Sequence, residues 1–69
     1  MFIAKPESIK LIQDHLPHAD ELLSNEDLNV LLLAIHDYID YAGFDSNDDI
    51  TDFGWELTKA YDDFYYSNP

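Results

Sequence analysis

Between Leu28 and Ala42 the apolar residues recur at helical spacing without a break: Leu28, Leu31, Leu32, Ile35, Tyr38, Ile39 and Ala42. A stripe at i, i+3, i+4 and i+7 fits one face of an α-helix, whereas a half-buried strand would need strict alternation. Ser24 or Asn25 can cap such a helix, and Glu26 and Asp27 suit its positive end. Ser24-Asn25-Glu26-Asp27 also reads as a capping box with Asp in place of Glu. Gly43 is a natural C-cap. The pattern therefore predicts a central helix from Glu26 to Ala42, and whatever else the chain builds must pack on it.

Two further segments offer apolar faces of the same period. In the first, Pro6 suits a first helical turn, Ile9, Ile12 and Leu16 share a face, and Pro17 stops the helix near His15 or Leu16. His18 to Leu23 then form one short turn with Leu22 and Leu23 inward. The last segment follows Asp48-Asp49, capped by Asp49 or Thr51. Ile50, Phe53, Leu57, Ala60, Tyr61, Phe64 and Tyr65 fall on one side of it. Gly54 lies on that side too, where a missing side chain lets another backbone come close. The expected fold is all-α: one small three-helix domain over residues 1–69, with a short fourth helical turn around 18–23.

Charge decides which partners such a domain can have. Fifteen carboxylates face three lysines and no arginine, a formal net charge of -12. Phosphate binding needs Lys or Arg, so direct nucleic-acid binding is disfavoured, as is an anionic membrane surface. The balance favours a basic protein partner, a cation or plain solubility. The chain is too apolar for an acidic disordered tail, at 46% hydrophobic residues. It has no cysteine, which excludes disulfides and thiolate zinc sites. Met1-Phe2-Ile3-Ala4-Lys5-Pro6 does not read as a signal peptide, and nothing approaches the length of a membrane span. The default expectation is the cytoplasm. No nucleophile elbow, phosphate loop or cysteine nucleophile occurs, so neither an enzyme nor a bound cofactor is expected.

The acids fall in telling places. Glu26, Asp27 and Asp52 lie at helix starts, where the macrodipole favours them. Asp37 and Asp40 lie in the last turns of the central helix, and Asp62 and Asp63 in those of the third, where it does not. Asp37 and Asp40 also repel each other at i, i+3. Either these acids only keep an apolar helix soluble, or they form a functional array. On the outer face of the third helix Asp52, Glu56, Lys59 and Asp63 recur at three and four, beside a strip of Trp55, Asp62 and Tyr66. The expected docking face is Asp37, Asp40, Asp52, Glu56, Asp62 and Asp63, with Trp55 or Tyr66 as an anchor. The rival reading folds the N-terminal segment over Trp55. In charge and size the chain resembles small acidic helical proteins that occupy the nucleic-acid site of a basic protein, which would make it a mimic or inhibitor.

Three weaker features remain. Val30, Leu33 and Ala34 form a second apolar patch on the central helix, with Tyr41 further along. The first helix, or Phe2 and Ile3, should cover it; otherwise it would serve a homodimer. Asp45, Asn47, Asp49 and Glu56 sit at positions 1, 3, 5 and 12 of an EF-hand-like loop. Ile50 replaces the turn glycine and Asp52 the usual apolar residue, which favours weak, non-specific cation binding there. His15, His18 and His36 are the imidazole candidates, with no HExxH pattern. Finally, crowded carboxylates repel, so some pKa values should rise on folding, and stability should rise as pH falls from neutral and as salt is added.

Overall fold

The computed structural model describes residues 2–68. Four helices follow one another among them: α1 Pro6–His15, α2 Ala19–Ser24, α3 Leu28–Ala42 and α4 Asp52–Ser67. The all-α expectation holds, and the short turn after Pro17 is a helix of six residues.

The caps explain the boundaries. α3 starts at Leu28, two residues later than expected. Its cap is Asp27, whose carboxylate accepts the Asn29 N–H at 2.9 Å, while the Asn25 side chain accepts the Asp27 N–H at 2.8 Å. Asn25 thereby holds the chain outside the helix, and Ser24 caps nothing: it is the last residue of α2 and its Oγ donates to the Asp20 carbonyl. Thr51, not Asp49, caps α4 and accepts the Gly54 N–H at 3.0 Å. Pro17 ends α1 at His15, and Leu16 turns into the core.

The core is one cluster. Ile12 and Leu16 from the first segment, Leu23 from α2, Leu31, Leu32 and Ile35 from α3, and Leu57 and Phe64 from α4 are all buried. α4 packs on α3 and on α1, and α2 wedges between α1 and α3. Tyr65, expected on the inner side, is 53% exposed. It lies one residue past Phe64 and stacks edge-on against Tyr66 at 5.0 Å instead.

α3 and α4 meet backbone to backbone, as Gly54 foretold. A methyl group on Gly54 would collide with the Gly43 carbonyl oxygen, and one on Gly43 would lie 3.1 Å from the Gly54 Cα. The Thr51 N–H and hydroxyl both donate to that same carbonyl, at 2.9 and 3.2 Å. The loop between the helices is pinched by a single antiparallel bridge, Phe44 to Ile50. Ile50 therefore precedes α4.

Candidate functional site

The acidic set expected to form one docking face is divided by the fold. Every Asp and Glu except Asp63 is exposed, but they do not share a side. Asp37 lines a groove of about 320 Å³ between α3 and the α1–α2 corner, together with Leu16, Leu22 and Tyr41. Glu56 and Asp63 line a different groove, of about 300 Å³, between α4 and α1, with Lys5, Ser8 and Lys59. Asp52, Trp55, Asp62 and Tyr66 stay together. In helical projection they occupy the side of α4 opposite Leu57 and Phe64. Trp55 is 53% exposed and Tyr66 is 80% exposed.

Asp63 is the member that the structure reassigns. Its Oδ2 accepts the Lys5 backbone N–H at 2.8 Å, and its Oδ1 accepts the Ser67 hydroxyl at 3.1 Å. The carboxylate is at the unfavourable end of α4, but that end meets the N-terminus of α1, where negative charge is favoured. The Lys5 N–H above all, then the Ser8 hydroxyl, hold the Asp63 pKa below its ordinary value, against a smaller upward push from desolvation. That is opposite in sign to the rise expected from crowding. A structural role thus accounts for an acid that the sequence placed in a functional array. Its partner lies 58 residues away, a separation over which no sequence pattern points to it.

Asn68 works beside Asp63. Its side chain accepts the Ile3 N–H and donates to the Ile3 carbonyl, both at 2.8 Å. Phe2 adds a longer backbone bond to the Leu23 carbonyl. These contacts hold the N-terminal segment across the far end of α4. Phe2 lies beside Asp27, Leu28 and Asn29 at the start of α3, and Trp55, in the first turn of α4, stays 53% exposed. Val30 is 41% exposed and Leu33 61% exposed, so the expected cover over the second patch is missing. Ala34 alone of that trio is half-buried, packed against the core.

The other acids on α3 have modest company. His36 Nδ1 lies 3.7 Å from the Asp40 carboxylate and 3.9 Å from that of Asp37. Among the described residues, the lysine–carboxylate pair within 4.0 Å is Lys10 with Asp14, both exposed.

The loop at 45–49 spends its first carboxylate on its own backbone. Asp45 Oδ1 accepts the N–H groups of Asn47 at 2.8 Å and Asp49 at 3.1 Å, and Asp48 takes a left-handed conformation at φ 62°. Glu56 faces the α1 groove and does not close over that loop. Among the described residues, no group of three or more His, Asp or Glu side chains converges as a metal site. His15 packs edge-on against Phe53 at 4.7 Å, and His18 takes a left-handed conformation ahead of α2 with Glu21 4.0 Å away.

Among the described residues no helix is long and apolar enough to cross a membrane. No protein-family model, curated protein or solved structure matches the chain.

Proposed function

We propose that this chain is a non-enzymatic binding protein that docks on the basic surface of another protein. The observation that carries the reading is an almost unpaired acidic surface bearing exposed aromatic rings. On the outer strip of α4, Asp52 and Asp62 flank Trp55 and Tyr66, all four exposed. Tryptophan and tyrosine supply large rigid contact area, and the carboxylates speed encounter with a cationic partner. Asp37 and Asp40 add charge from α3. Glu56 contributes from the rim of the α1 groove, while Asp63 belongs to the fold. A basic surface that normally binds DNA or RNA is the partner class this charge suits best, and the chain would then act as a mimic or inhibitor.

Purified basic nucleic-acid-binding proteins, titrated against the intact chain at rising ionic strength, test the reading. Affinity should fall steeply with salt, a short DNA duplex should compete, and Trp55→Ala should weaken binding by roughly tenfold. An affinity that stays flat from low to high salt would sink it. Salt-sensitive binding that DNA does not compete would remove the mimicry and leave the basic partner.

A further inference from the structure

Among the described residues, an apolar surface apart from the strip on α4 is left uncovered. Val30, Ala34 and Tyr41 follow one another along the outer side of α3, over on the order of 16 Å of helix at 1.5 Å per residue. Beside them runs the groove of about 320 Å³ whose opposite wall is Leu16, Pro17 and Leu22. Tyr41 lines it and is 84% exposed, its ring leaning on Tyr38 at 5.9 Å, and Leu33, one turn before Asp37 on the same helix, is 61% exposed. An apolar channel of about three turns beside a helix has the form that receives a second, amphipathic helix.

Charge selects the occupant. Asp37 stands in the groove wall, and Asp40 is one turn further on the same helix. Asp20 and Glu21 are exposed on α2, next to Leu22. The lysines are elsewhere: Lys5 and Lys59 line the other groove, and Lys10 pairs with Asp14. A second copy of this chain would bring its own charge of -12 and set Asp37 against like charge, so self-association is opposed. A helix with leucine-like residues along one side and Lys or Arg along its flanks satisfies both halves of the surface.

We infer that the groove between α3 and the α1–α2 corner receives a cationic amphipathic helix from a partner protein. This rests on the reading above for the premise of a basic partner and for the charge of Asp37 and Asp40. The place, the apolar ridge and the helical form are new, and Tyr41 and Leu33, not Trp55, are the contacts that matter. Tyr41 closes over the ridge, Leu33 meets its edge, and Asp37 and Asp40 pair with the flanking cations.

The probe is a synthetic peptide of about 18 residues, with leucine at i, i+3, i+4 and i+7 and lysine elsewhere. Its fluorescently labelled form is titrated with the intact protein, alongside a scrambled peptide of equal charge. The amphipathic peptide should bind at least about tenfold more tightly than the scrambled one. Tyr41→Ala and Leu33→Asp should each cost it a similar factor, while Trp55→Ala leaves it unchanged. Equal binding of both peptides would overturn the groove while leaving a basic partner standing. So would a loss on Trp55→Ala with none on Tyr41→Ala. No binding of either peptide would overturn the groove and speak against the basic partner as well. Sedimentation of the protein alone that shows a dimer abolished by Leu33→Asp would assign the surface to a second copy instead.

Discussion

α3 carries apolar side chains on both its sides, and the fold treats the two sides in opposite ways. On the inner side Leu31 and Ile35 are wholly excluded from water and Leu32 nearly so. On the outer side Leu33 and Val30 remain open. Composition does not distinguish them, since Leu31 and Leu33 are two residues apart and chemically identical. The difference is what arrives to cover them. α4, α1 and α2 supply the inner cover, and the N-terminal segment expected over the outer side is held at the end of α4 by Asp63 and Asn68. A small chain has few elements, and where each is tied decides which apolar face stays open.

The largest expected effects both fall on the packed side, and the first breaks it at its tightest point. Gly54→Ala drives a methyl group into the Gly43 carbonyl, a backbone atom that cannot swing away. Overpacking of that kind costs about 3 kcal/mol. In a domain of this size that is a drop of roughly 12–24 °C in melting temperature. An unchanged melt would mean that α3 and α4 do not meet backbone to backbone, and the inner side of α3 would lose its cover.

The two leucines sharpen the comparison directly. Leu31→Ala should destabilise by about 2–5 kcal/mol, through lost transfer energy and a cavity. Leu33→Ala should stay within about 0.5 kcal/mol, as for other exposed positions. Chemical denaturation of both variants checks this. Similar losses at the two positions would show that the outer side is covered in solution.

How much of this could be seen beforehand depends on range. The helices were legible because their signals are local: the period of the α3 stripe, Pro6 and Pro17 on α1, and Thr51 ahead of α4. Even a long-range contact could be read where a residue type allows nothing else, as with Gly54. The cap of α3 was misplaced by two residues because Ser24, Asn25 and Asp27 are all good caps, and hydrogen bonds within the turn chose among them. For the candidate site, the outer strip of α4 followed from helical register alone. The single acidic face did not survive, because Asp37 and Glu56 belong to helices whose relative rotation no local pattern encodes. Asp63 was misread for a related reason. The dipole of its own helix makes its position read as unfavourable, but the helix it serves is α1.

Asp63 and its neighbour Asp62 give the smallest expected effect. Asp62 is exposed, and Asp62→Ala should change stability by less than about 0.5 kcal/mol. Asp63→Ala removes the acceptor for the Lys5 N–H, and for a half-exposed site the loss should be about 1 kcal/mol. The loss should also depend on pH, with a sign fixed by the direction of the shift. The folded Asp63 pKa is lowered from 3.8, so the folded state holds that proton less tightly than the unfolded chain does. Its stabilisation is therefore complete above the unfolded pKa, and it fades as pH falls below about 4 and through the folded value. The gap between the native chain and Asp63→Ala should stay constant from neutral pH down to about pH 5, then narrow toward about pH 2. It should be little affected by salt, because the partner is a backbone N–H at 2.8 Å and not a distant charge. Thermal melts of the two proteins across that range measure the gap. A gap that keeps its size at about pH 2 would mean that Asp63 holds the N-terminal segment by packing, not by its charge.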